Sequence, residues 1–190
     1  MAGADLRGRD FSRADLAGAT LVGANLTEAN LAHANIRNAS ALGASMARVR
    51  MTGVDGVKAD LTGANLSGAV MRDARFTRAK FSMATLTVVN AQGADFSGAD
   101  LSTSNLSGGD FRNTRFRDAV LSSARLTSGR FSGADFAGAD LTRSDIRGAD
   151  LSGATGLTKA QIDRACGDDA TRLPRGLTVR PCDGRPFNRH

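Results

Sequence analysis

The side chains able to do chemistry are few, and their spacing argues against catalysis. The two histidines, His33 and His190, stand far apart in a chain of 190 residues. No serine or threonine has both a histidine and a carboxylate predicted beside it, so no nucleophilic triad is legible. Cys166 and Cys182 are the only cysteines and do not have the spacing of a zinc motif. In a reducing compartment they are expected as free thiols, with a disulfide pinning the tail as the alternative. No catalytic residue, metal ligand or cofactor is assigned. The strongest candidate for a contact surface is a set of arginines, Arg72, Arg75, Arg78, Arg112, Arg115 and Arg117. They are expected on adjoining sides of the molecule as a possible interaction patch that could meet phosphate.

What positions these groups is a strict period of five. From Leu6 to Leu151, thirty consecutive fifth residues fall in one register, and 27 of them are Leu, Ile, Met or Phe; the exceptions are Ala41, Gly56 and Ala91. Two positions earlier the residue is small, alanine in 21 of the thirty cases. A helix repeats near 3.6 residues and a strand near 2, so neither holds this phase. A coiled solenoid does. The large residue and the small one two before it point inward as an i, i−2 pair, and the other three positions face water.

Charges give the number of sides. If four pentapeptides close one coil, the position before each central residue forms columns such as Asp55, Arg75, Asp95, Arg115, Asp135 and Asp60, Lys80, Asp100. Signs alternate there, as stacking at about 4.8 Å favours. Three per coil would put Asp95 on Asp110 and Arg115 on Arg130. The four-sided register also stacks Phe76, Phe96, Phe116 and Phe136 in the core. Thirty repeats make about 7.5 coils, a rod roughly 36 Å long.

The pattern resembles the pentapeptide repeat family, whose signature Ala-Asp/Asn-Leu-x-x is met in Ala24-Asn25-Leu26-Thr27-Glu28 and Ala139-Asp140-Leu141-Thr142-Arg143. The resemblance implies an all-β fold, a right-handed quadrilateral β-helix, over residues 1 to 155. It also implies a bacterial protein, and many bacterial proteins of this fold have no assigned activity. Some members protect DNA gyrase from quinolones or toxins, so a gyrase-interacting protein is the alternative to a scaffold with an unidentified protein partner. Other members dimerise through the C-terminal end, which makes a homodimer there an expectation from likeness.

Charge weighs on these readings. The repeats carry 18 basic and 15 acidic side chains and the tail 7 and 4, for a net +6 overall. A mimic of DNA must attract a cationic groove, and a mildly basic rod does so poorly. Nucleic-acid binding is also disfavoured, because Trp and Tyr are absent and the repeat phenylalanines point inward, so no stacking platform is offered. No apolar run is long enough to span a membrane. With the first repeat starting at Ala4 no signal peptide is read, and a cytoplasmic location is expected.

Two regions depart from the repeat. Ala41, Met46, Met51 and Gly56 cluster within 39 to 58, so missing core volume predicts a soft or bent coil there. From residue 156 to 190 the period is lost. Thr158-Lys159-Ala160-Gln161 fits a capping box, which predicts a helix over 159 to 166, stopped at Gly167 and covering the last coil. Beyond Leu173 a Pro-, Gly- and Arg-rich segment is expected to be extended.

Overall fold

In a computed structural model, which describes residues 1–182, each pentapeptide forms one side and one corner of a four-sided coil. The corner is a turn in which the amide of residue i+3 donates to the carbonyl of the central residue i, as from Ala14 to Phe11 at 3.0 Å. The third residue of the turn has positive φ, the requirement of a type II turn. Glycine meets that requirement at Gly18, Gly63, Gly98 and Gly138, but sixteen non-glycine residues also accept it.

Successive coils are joined through the backbone. The Leu26 amide donates to the Ser45 carbonyl at 2.7 Å, and the Asn25 amide to the Ala4 carbonyl at 2.9 Å. Parallel bridges link residues twenty apart from Asp5 and Asn25 through Asp135 and Thr155. The four-sided register read from charge is therefore the one adopted. Each side supplies a single bridge, and no longer strand forms among the described residues. A side between two corners is too short for more. Proline is absent from the repeats because nearly every side donates amides to a neighbouring coil.

The sides are numbered by their central residues: the first from Leu6 to Ile146, the second from Phe11 to Leu151, the third from Leu16 to Phe136 and the fourth from Leu21 to Leu141, each in steps of twenty. Phe76, Phe96, Phe116 and Phe136 stack inside the third side, with ring centroids 5.1 to 5.5 Å apart and planes within 19°. Phe111 and Phe131 form a second stack inside the second side at 5.3 Å. Gly109 and Gly129 replace the usual alanine where these two rings lean back onto their own side, and a Cβ at either position would collide with the ring.

The coil from 39 to 58 recovers part of the core volume that its composition lacks. A larger inward residue stands two positions before two of the three small central residues, Val54 before Gly56 and Val89 before Ala91, whereas Ala41 follows the usual alanine, Ala39. Both valines are buried, as are Met46 and Met51. The rest of the space at Gly56 is taken by the ring of Phe76 from the next coil. Backbone bonds run through unbroken, with Gly56 donating to Arg75 at 2.7 Å and Asp55 to Ala34 at 3.0 Å.

Helix α1 spans Lys159–Ile162, shorter than the 159 to 166 expected. Its capping box is present, but Asp163 ends it. The chain then resumes the solenoid as an irregular coil, with Cys166 bridging to Asp145 and Arg172 to Asp150. These contacts pull the segment out of helix after one turn. Gly167 is not a helix stop; a Cβ there would lie 2.6 Å from both Thr171 Oγ1 and Val179 Cγ2, so the glycine admits the returning tail. α1 covers the end of the third side, where Gln161 Nε2 donates to the carbonyls of Phe136 at 2.9 Å and Ala139 at 2.8 Å. Ile162 at the end of the helix and Ala165 just after it are fully buried.

The tail from 174 to 182 lies along this cap, with Leu177 and Val179 packed on the core. Cys166 and Cys182 form a disulfide, against the expectation of free thiols. The bridge between Gly167 and Pro181 places the two cysteines side by side, a juxtaposition that the compartment argument from sequence did not contain. Pro186 and His190 lie outside the described residues.

Candidate interaction surface

The outward position before each central residue serves two purposes. Asp and Asn there accept a hydrogen bond from the backbone amide two residues on, as in Asp10 to Ser12 at 2.8 Å and Asp60 to Thr62 at 3.0 Å. That is the Asx geometry that makes these residues useful beside a turn. The remaining carboxylate oxygen is then free to pair with the next coil.

On the third side this builds a ladder. Asp55 accepts from Arg75 at 2.6 Å and from Arg37 at 3.1 Å; Arg115 lies 3.3 Å from Asp95, and Arg117 lies 2.9 Å from Asp135. On the second side Asp110 accepts from Arg112 and Gln92, both at 2.8 Å, and Arg130 reaches it at 3.5 Å. Burial raises the pKa of Asp110, but the bonds from Arg112 and Gln92 outweigh that and hold it down at about 2. Asp55 is lowered in the same manner, with the Arg75 and Arg37 bonds overcoming burial. The pairs are half-exposed, so each adds little to stability. Their larger effect is to cancel charge.

The six arginines are distributed accordingly. Arg72 and Arg112 belong to the second side, Arg75, Arg115 and Arg117 to the third, and Arg78 to the next corner. Arg75, Arg112, Arg115 and Arg117 are held by aspartates. Among the described residues, the Arg72 and Arg78 side chains make no ion pair. Lys58 and Arg78 stack as like charges one coil apart, and neither is paired among the described residues. Four of the six thus face solvent as partners of acids, and the structure brings together no continuous basic strip from them.

His33 sits over bare Gly53, where a Cβ would lie 2.5 Å from its Nδ1, and no hydrogen-bond partner for the ring occurs among the described residues. Asp73 over Gly93, Asn113 over Gly133 and Asp118 over Gly138 repeat the arrangement. The glycine makes room for the polar side chain stacked from the coil before.

Sequence reasoning passed over two residues. Met83 and Val88 hold the left-handed corner positions, at φ +59 and +55, on either edge of Ala84-Thr85-Leu86-Thr87. They are 64% and 70% exposed, while the other residues at that corner position are glycine or polar. A β-branched residue in this conformation is an outlier. The signal was present in the sequence, since both fall at the position where Gly, Asn or Asp recur. The first side between them is uncharged in its two outward columns from Asn25 to Ser107, and is knit by bonds such as Thr87 to Ser67 at 3.1 Å.

A four-sided coil of pentapeptides, with paired charges outside and a filled core, defines a repeat solenoid. The pentapeptide repeats family matches residues 1–38, 24–55, 57–90, 89–118 and 119–155 in eight copies, and the chain belongs to that family. HetL, a pentapeptide repeat protein involved in heterocyst differentiation regulation from Nostoc sp. strain PCC 7120, has a similar structure. The TM-score is 0.61 at 22% identity, over 93% of this chain and 86% of that one. QnrB1, a plasmid-mediated fluoroquinolone resistance protein, aligns at 18% identity over 87% of this chain and 90% of its own, with a TM-score of 0.44. A pentapeptide repeat protein of the Arabidopsis thaliana thylakoid lumen is 30% identical over 74% and 67% of the two chains, with a TM-score of 0.23. A comparison with curated proteins returns no match. No helix among the described residues is long and apolar enough to cross a membrane.

Proposed function

We propose that the chain is a non-enzymatic scaffold, a right-handed four-sided rod that presents one of its outer surfaces to another protein. The observation that carries this reading is the pair Met83 and Val88. Two apolar side chains stand exposed at corners where left-handed geometry costs about 1 kcal/mol or more for a residue other than glycine. Such residues do not serve the fold. Flanking an uncharged strip of Thr85 and Thr87, they make a partly apolar, charge-free patch of the kind found in interface cores.

The gyrase-directed alternative rests on family likeness. It gains nothing from the charges, since Asp55, Asp95, Asp110 and Asp135 are each engaged by arginine and form no free acidic strip. The two readings part in one experiment. A photo-crosslinking residue placed at 83 or 88 is expected to capture one protein that a residue placed at Ser123 does not. Capture of gyrase, with protection of supercoiling against a quinolone, would favour the alternative, and equal labelling from all three positions would remove the proposed surface.

A further inference from the structure

The C-terminal cap holds a second cluster that the scaffold reading does not use. Asp145 ends the first side's outward column, Cys166 bridges to it as the coil resumes, and Cys182 returns beside both. One oxygen of Asp145 and the two sulfurs all lie within 4.8 Å of one another, with Cys182 Sγ 3.9 Å from Asp145 Oδ1. All three residues are partly exposed. Cys182 lines a depression of about 360 Å³ together with Arg147, Asp168, Asp169, Val179 and Pro181. We propose that, once the disulfide is reduced, Asp145, Cys166 and Cys182 bind one thiophilic divalent cation of the zinc class.

Backbone contacts, not the sulfur bond alone, hold the ligands together. Cys166 donates to Ser144 at 3.0 Å and accepts from Ile146 at 2.8 Å. Gly167 donates to Arg180 at 2.8 Å, and Cys182 donates back to Gly167 at 3.1 Å. With the Cα atoms 4.9 Å apart, side-chain rotation brings two thiolates to one ion without moving the chain. Tetrahedral zinc at about 2.3 Å from sulfur separates its ligand atoms by roughly 3.5–3.8 Å, close to the carboxylate spacing already present. Two thiolates, one carboxylate and the Arg147 guanidinium balance the charge of a dication, and water from the open depression completes four-coordination. Arg147 also competes, since its Nε and Nη2 now bond both oxygens of Asp145 at 2.9 and 2.5 Å.

The chemistry balances with a dithiol reductant. It passes two electrons and two protons to the disulfide, leaving two protein thiols and its own cyclic disulfide. The cation then displaces both thiol protons to solvent. In the oxidised form both sulfurs are committed to each other, so the site is closed. Binding is gated by redox state and is independent of the partner proposed above.

The test uses the full chain, reduced by a dithiol and desalted without oxygen. Cobalt(II) is expected to bind at one equivalent with a thiolate-to-metal charge-transfer band, and zinc to displace it. The oxidised chain should show no band. Asp145→Asn should weaken zinc on the order of tenfold or more with the band retained, and Cys182→Ser should abolish the two-sulfur band. Arg147→Gln, which frees the carboxylate while leaving all three ligands, should bind zinc more tightly than the unaltered chain. Amide exchange of Ile146 and Leu151 reports whether the cap stays formed. No band in a reduced chain whose cap is intact, or equal zinc affinity in Asp145→Asn, overturns the proposal, as does release of the cap on reduction.

Discussion

Gly56 lies directly against the ring of Phe76: a Cβ built on Gly56 would fall 2.5 Å from Phe76 Cε1. The apparent defect in the repeat is the socket for a side chain from the next coil. Restoring the repeat residue with Gly56→Leu is therefore expected to destabilise by about 1–3 kcal/mol through overpacking. The double variant Gly56→Leu, Phe76→Leu should recover much of that loss. Urea unfolding of the four forms gives the coupling, and strictly additive changes would show that the two positions are independent.

Val88 offers a test of the interaction surface through stability. Replacing it by glycine removes a β-branched side chain from φ +55 and uncovers no core, since Val88 is exposed. Val88→Gly is expected to raise stability by up to about 1 kcal/mol while weakening capture of the partner. A fall in stability would mean that Val88 serves the fold after all.

Acid should loosen the ladders in a defined window. Asp110 titrates at about 2 in the fold, against about 3.9 in an unfolded chain. A depressed folded value contributes stability that is fully present above the unfolded pKa and is lost as pH falls toward the folded one. The difference in melting temperature between the unaltered chain and Asp110→Asn is thus expected to be constant above about pH 5 and to shrink between about pH 4 and 2. A difference unchanged at pH 2 would assign the effect to packing instead.

Gln161 ties the cap to the last complete coil. Gln161→Ala removes two donors to the Phe136 and Ala139 carbonyls and one half of the capping box. A loss of about 1–3 kcal/mol is expected. Hydrogen exchange should rise at the Phe136, Ala139 and Ile162 amides first. Uniform acceleration along the whole rod would indicate that the cap and coils open as one unit.

How much of this was legible differs by region. The five-residue period, the twenty-residue closure and the Phe76 to Phe136 stack could be read directly, because each inward side chain repeats its environment from coil to coil and charges must meet their counterparts at the next level. The softness expected at 39 to 58 was reckoned one column at a time, which leaves neighbouring columns and coils out of the packing. The ring of Phe76, from another coil, takes the space beside Gly56, and Val54, two positions earlier, is buried. Likewise the arginine set reads as one surface in sequence, whereas Arg75, Arg112, Arg115 and Arg117 are engaged by acids two to twenty positions away.

The sequence by itself determined the solenoid, since a strict local period leaves one coil geometry that buries every fifth side chain and satisfies the backbone between coils. The tertiary structure alone decided the end of the rod: how short α1 is, that Gly167 admits the returning tail, and that Cys166 meets Cys182. Those contacts join residues of unrelated spacing, and no periodicity carries information about them. They follow only from which groups lie within reach once the last coil is closed.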